Sequence, residues 1–104
     1  MLGVEIAPGF IIPHPIGIVI TKNCIIGSNF QIRQGSTIGV DFKGDEKIVI
    51  VDNVIIGANC TVIGTGINIG DNVQIGAMTF VNKNIPANVN CINKKSMVFL
   101  EKKV

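Results

Sequence analysis

Two stretches decide the fold: "NVIIGANCTVIG" (residues 53–64) and "INIGDNVQIGAM" (67–78). In each, an aliphatic residue, mostly followed by a small or polar one, recurs every six residues. Outward from there the beat covers most of the chain. It runs through Ile20, Ile26, Ile32 and Ile38, then Ile50, Ile56 and Val62, and after one step of seven through Ile69, Ile75 and Val81. Two residues before nearly every beat lies a second apolar or small residue: Ile18, Cys24, Phe30, Ser36, Val54, Cys60, Ile67, Val73 and Thr79. Side chains two apart on a strand point the same way, so each pair faces one interior. Glycine often follows the beat, at Gly27, Gly39, Gly57, Gly70 and Gly76, and suits a corner where the chain turns sharply. A period of six does not match 3.6, and β-branched residues with regular glycines oppose helix. The pattern predicts an all-β solenoid, with three six-residue sides per coil and each coil burying its rungs against the next.

The expected organisation is one domain over residues 1–104. Coils run from about 6 to 86, a short loop occupies about 40–48, and an irregular C-terminal tail spans 87–104. The step of seven, in the 64–70 region, predicts a small bulge.

Composition agrees with a stacked apolar interior. Hydrophobic residues make up 47% of the chain, and mean hydropathy is +0.51. No apolar run approaches the ~20 residues of a membrane span. The first residues lack the basic segment of a signal peptide, so a cytoplasmic protein without a membrane span is expected. A net charge of +2, with no stripe of Lys and Arg among aromatics, argues against nucleic acid. Cys24, Cys60 and Cys91 are odd in number and far apart, which fits neither a disulfide framework nor a zinc site. Cys24 and Cys60 fall on inward positions and read as small buried thiols.

The single histidine, His14, lies in "PHPIGIVI" (13–20). It falls between Ile12 and Ile18 and breaks the six-residue rhythm instead of filling a rung. An interruption of a repeat is where a function can be placed at little cost to the core. A histidine titrates near neutral pH and can accept a proton there.

Three segments carry a resemblance: "IAPGFIIPHPIGIVI" (6–20), "NFQIRQGSTIG" (29–39) and "VDNVIIGANCTVIG" (51–64). They resemble the serine acetyltransferase branch of the hexapeptide-repeat acyltransferases. That branch includes bacterial acetyltransferases that modify sugars and polysaccharides. The resemblance implies a single-stranded left-handed parallel β-helix. The hand comes from it alone, since the general crossover rule favours the right-handed form. It further implies acetyl-CoA as acyl donor, no metal, and a homotrimer that holds the donor in the grooves between subunits. His14 then takes the role of general base, and the backbone at Gly39 that of oxyanion donor. Ala58, Gly76 and Ala77 would border the CoA arm, which leads toward Lys83. Glu5, the only acid before His14, is the candidate to orient it.

The chain also departs from that branch. Lys47 stands where serine acetyltransferases carry a second histidine, in the charged loop "GVDFKGDEKIVI" (39–50). Asp41, Lys43 and Lys47 are the acceptor-side candidates. The acceptor expected on this reading is a hydroxyl of a sugar or polysaccharide precursor, with serine as the alternative. "NKKSM" (93–97) replaces the family's usual closing segment, so a non-catalytic β-helix serving as an assembly module is a further alternative. A zinc enzyme on this fold with three histidine ligands per site, supplied across a trimer interface, would need more than one histidine per chain, except as a ring on the threefold axis.

Overall fold

The computed structural model describes residues 4–21, 23–40, 47–94 and 96–103. Among the described residues twelve short strands follow one another: β1 (Val4–Ile6), β2 (Val19–Ile20), β3 (Cys24–Ile26), β4 (Gln31–Ile32), β5 (Thr37–Val40), β6 (Ile48–Ile50), β7 (Ile55–Ile56), β8 (Thr61–Gly64), β9 (Asn68–Ile69), β10 (Gln74–Ile75), β11 (Phe80–Val81) and β12 (Asn90–Cys91). No helix occurs among the described residues. The strands stack into three parallel sheets. Sheet I has the order β1-β3-β6-β9, sheet II β12-β10-β7-β4, and sheet III β11-β8-β5-β2. The chain visits I, II and III in turn and starts again, which makes a three-sided β-helix. The rod measures 54 × 28 × 28 Å.

The six-residue rungs are the core. Ile20, Ile26, Ile32, Ile38, Ile50, Ile56, Val62, Ile69, Ile75 and Val81 are all buried. Of their partners, Cys24, Phe30, Ser36, Val54, Cys60, Ile67, Val73 and Thr79 are also buried. Ile18 is half-buried and packs against the core with Phe10 and Ile12. Phe10 and Phe30 stack with ring centroids 5.8 Å apart, which closes the first coil over the second. Burying each such Ile or Val contributes about 1.5–3 kcal/mol, so the column of rungs dominates stability.

The corners differ from the sequence expectation in one respect. Gly27, Gly57 and Gly70 are not the residues that turn the chain through the left-handed region. That role falls two residues later, on Asn29, Asn59 and Asn72, with φ of 59°, 55° and 58°. Asparagine tolerates this region better than other residues with a Cβ. The glycines are needed for close approach between coils. A Cβ on Gly57 would stand 2.8 Å from the amide nitrogen of Ala77 and one on Gly70 2.6 Å from that of Ala87. At the corner between sheets I and II the asparagines form a ladder. Asn29 donates to Asn53 (3.0 Å), Asn53 to Asn72 (3.2 Å), and Asn72 to Asn88 (2.9 Å). Beside it the Ser28 amide donates to Asp52 Oδ1 (2.7 Å), and the Asp52 amide to Asp71 Oδ1 (2.9 Å).

Register locates each departure from six. Val62 to Ile69 takes seven residues, and the extra one is taken up after β8, where Gly66 has a φ of 71°. Ile85 bridges to Ile69 within the expected coils, and the ladder continues past their boundary, where β12 pairs with β10. Beyond β12, Met97, Val98, Phe99 and Leu100 are exposed.

Candidate functional site

His14 owes its position to an insertion in the first coil. Ile11 pairs with Gln31, an offset of twenty residues, but Val19 pairs with Thr37, an offset of eighteen. The first coil therefore uses two more residues than the second to turn from sheet II to sheet III. The Ile32 amide donates to Ile11 O, and the Gly35 amide donates to Ile16 O. These bonds set Ile12 over Ile32 and Ile16 over Gln34. Pro13, His14 and Pro15 then occupy the level that Arg33 alone fills one coil below. Two prolines suit such an arch, because neither has an N–H that would seek a ladder partner. The Ile16 amide closes it by donating to His14 O (2.8 Å). His14 is exposed on this arch.

The same corner continues down the rod as Arg33–Ser36, Gly57–Cys60 and Gly76–Thr79. The Asn59 amide donates to Gln34 O and the Met78 amide to Ala58 O, both at 2.9 Å. His14, Ala58, Gly76 and Ala77 are thus brought onto one edge of the prism. Just inside that edge runs a column of small polar side chains. Ser36 Oγ donates to Gly57 O (2.6 Å) and accepts from the Cys60 amide (3.1 Å). Cys60 Sγ and Thr79 Oγ1 both donate to Gly76 O, at 3.0 and 2.7 Å. These bonds stiffen a corner whose outer surface is only Gly, Ala and Asn at the third coil. Next to it on sheet II, Gln74, Gly76, Asn90 and Ile92 line a shallow depression of about 160 Å³.

The other sequence candidates lie elsewhere. Gly39 is buried on β5 opposite Ile63, toward the far end of sheet III from the His14 corner. Lys47 and Lys83 are exposed at the corner between sheets III and I. These three and the His14 edge flank the outer face of sheet III from opposite sides. Asp41 and Lys43 lie outside the described residues. Glu5 is on β1 in sheet I, across the prism from the corner between II and III, and the structure does not bring it to His14. Among the described residues no group of three or more His, Cys, Asp or Glu is placed to hold a metal. Nor is there a helix long and apolar enough to cross a membrane.

Gln34 was not singled out by sequence. Its Oε1 is buried at this corner with no hydrogen-bond partner among the described residues. Burial pushes the Cys24 thiol up from 9.0 to about 11.

No protein-family model matches the chain. Curated serine acetyltransferases are similar to it over most of its length. The serine acetyltransferase of Synechococcus elongatus is 38% identical over 95 residues, 84% of this chain and 38% of that protein. The serine acetyltransferase of Staphylococcus aureus is 41% identical over 93 residues, 82% of this chain and 43% of that protein. The chain therefore spans about two fifths of the relatives it matches. Among solved structures, serine acetyltransferase isoform 3 of Entamoeba histolytica, in complex with cysteine, overlaps 97% of this chain and 36% of its own, with a TM-score of 0.83 at 30% identity. The Neisseria gonorrhoeae enzyme in complex with serine overlaps 85% of this chain and 36% of its own, with a TM-score of 0.77 at 31% identity. Superposition does not invert hand, so this β-helix is left-handed as those are. These likenesses support a place for the chain among the hexapeptide-repeat acyltransferases of the serine acetyltransferase kind.

Proposed function

We propose that this chain carries the acetyl-transfer site of an acetyl-CoA-dependent O-acetyltransferase, with His14 as general base and serine as the acceptor. The observation that carries the reading is the His14 arch. A two-residue insertion exposes the only histidine at the head of an edge otherwise built from small residues. The named activity of the similar proteins supports acetyl transfer, and their acceptor supports serine over the sugar hydroxyl expected from sequence.

The chemistry asks little of the protein. His14 takes the proton of the acceptor hydroxyl as that oxygen attacks the thioester carbonyl. A C–O bond forms and the carbonyl becomes a tetrahedral oxyanion. Collapse breaks the C–S bond, and the imidazolium returns its proton to the leaving CoA thiolate. General base catalysis of this kind supplies typically ~10²–10⁴-fold. Ala58, Gly76 and Ala77 let the pantetheine arm lie close to backbone, and Lys83 is the cation toward which it runs. The backbone at Gly39 is the oxyanion donor of this reading, and Lys47 is its acceptor-side residue among the described ones.

A homotrimer fits this arrangement, because the two sets of candidates flank one face and are joined only if a neighbour packs there. Ile16, Val19, Ile63, Met78 and Phe80 are exposed apolar residues on that face and its His14 edge, an area that monomers normally cover. A sugar acceptor is the second reading, favoured by Lys47 in place of a histidine. The test is an acceptor panel: acetyl-CoA with L-serine or with hydroxyl-bearing sugars, products read by mass spectrometry. O-Acetylserine formation is expected. Acetylated sugar alone selects the second reading. No product, with no thermal stabilisation by CoA, selects a non-catalytic assembly module.

A further inference from the structure

The mechanism leaves His14 without an orienting group. A neutral imidazole presents the right lone pair only if something holds the proton on its other nitrogen. The expected carboxylate, Glu5, lies across the prism. What the corner does hold is an unmet acceptor. Only two buried side-chain oxygens lack a partner among the described residues, Gln34 Oε1 and Thr65 Oγ1. Thr65 belongs to the bulge after β8, at another corner. Gln34 lies directly beneath the His14 arch, held there by the bond from the Gly35 amide to Ile16 O. A buried amide oxygen without a donor carries a desolvation cost, so its retention at this place calls for a donor.

The neighbours narrow the choice of donor. Below Gln34 is Ala58, whose methyl donates nothing. Above it, Pro13 and Pro15 have no N–H, and the Ile16 amide is already bonded to His14 O. Arg33, on the same coil, is exposed and is the charged group nearest the corner. One coil below, Asn59 turns its Oδ1, an acceptor, toward Gly35, and Cys60 Sγ and Thr79 Oγ1 already donate to Gly76 O. His14, exposed on the arch one coil above Gln34, is the remaining side chain of the corner with an N–H to give, although its ring makes no hydrogen bond to Oε1 in this structure.

We propose that Gln34 is the positioning residue for His14. Its Oε1 accepts the Nδ1–H of the neutral ring, fixes that tautomer, and leaves the Nε2 lone pair free at the corner surface. The inference rests on the reading of His14 as a base, but its test does not need turnover.

The chain has one histidine, so its imidazole nitrogens give unambiguous NMR signals. Tautomer populations and the titration curve can be read on the full chain by long-range ¹H–¹⁵N correlation. In the wild type the Nδ1–H tautomer is expected to dominate. In Gln34→Leu, which keeps bulk and removes the acceptor, the ratio should fall about fivefold, the worth of one ordinary hydrogen bond. Gln34→Glu keeps an acceptor at the site and adds charge. It should preserve the tautomer and raise the pH at which His14 titrates, and it serves alone if Gln34→Leu does not fold. A wild-type ring mainly in the Nε2–H form would overturn the proposal. So would a ratio unchanged in folded Gln34→Leu, or a titration unmoved in Gln34→Glu. If these signals behave as expected but no acetyl transfer occurs, the positioning holds and the functional reading fails.

Discussion

Gly57 and Gly39 follow the same kind of residue in the repeat, yet alanine should act on them with opposite sign. At Gly57 a Cβ would lie 2.8 Å from Ala77 N and 2.9 Å from Ile75 O. Both atoms are backbone of the next coil, and Ile75 O already accepts from the Gly57 amide at 2.8 Å. To reach the 3.4 Å at which ordinary contact begins, the two coils must part by about half an ångström. Overpacking of this kind costs about 1–3 kcal/mol, and the stretched coil-to-coil hydrogen bond adds about 1 kcal/mol. At Gly39 the nearest atoms to a Cβ are Ile63 Cγ1 at 3.7 Å and Thr21 Oγ1 at 3.8 Å. Nothing has to move, and φ there is not in the left-handed region. Alanine should then stabilise by about 0.5 kcal/mol through the lost freedom of the unfolded chain. Thermal unfolding followed by far-UV circular dichroism separates the two. Gly57→Ala should lower Tm by on the order of 10 °C, and Gly39→Ala should raise it by a few degrees. A Gly57→Ala protein melting within a degree of wild type, or two equally destabilised variants, would refute the argument from close coil approach.

Other outcomes follow from the same structure. Ile56→Ala removes a fully buried rung and should cost about 2–5 kcal/mol in urea unfolding. Asn53→Ala breaks two ladder bonds and leaves a Cβ residue at a φ of 59°. A loss of about 2 kcal/mol is expected from the left-handed penalty and the bonds together. The Cys24 thiol titrates near 11 in the fold against 9.0 ordinarily, because burial disfavours the thiolate. Its raised value stabilises the fold fully below pH 9, and that contribution is lost between about pH 9 and 11, as the unfolded thiol ionises and the folded one does not. Denaturation midpoints across that range, in wild type and Cys24→Ala, should diverge in that direction. At pH 8 a thiol reagent should modify half-buried Cys91 before the buried Cys24 and Cys60.

The rungs were legible because burial on a flat three-sided coil imposes a strict period, and Ile, Val and small partners cannot satisfy it by accident over ten beats. The bulge after β8 was legible for the same reason, as a step of seven. The asparagine ladder was missed, although its signal is present. Asn29, Asn53, Asn72 and Asn88 each follow an inward aliphatic by three residues. Attention to glycine as the turning residue hid it, since Gly27, Gly57 and Gly70 answer a contact between coils and not a backbone angle. His14 showed itself as a break in rhythm. Its partners did not, because which corner a residue shares depends on offsets between coils of eighteen, nineteen, twenty and twenty-four residues. That is why Glu5, close in sequence, lies across the prism, while Gln34, twenty residues on, lies beneath.

The central claim is that the His14 arch is the base of an acetyl-transfer site. It is tested most directly by kcat/KM for O-acetylserine formation from acetyl-CoA, in wild type and His14→Ala, with the fold of each checked by circular dichroism. Because His14 is exposed and off the core, Tm should not change, while the rate should fall by about 10²–10⁴-fold. A folded His14→Ala protein that transfers acetyl groups as fast as wild type would contradict the account.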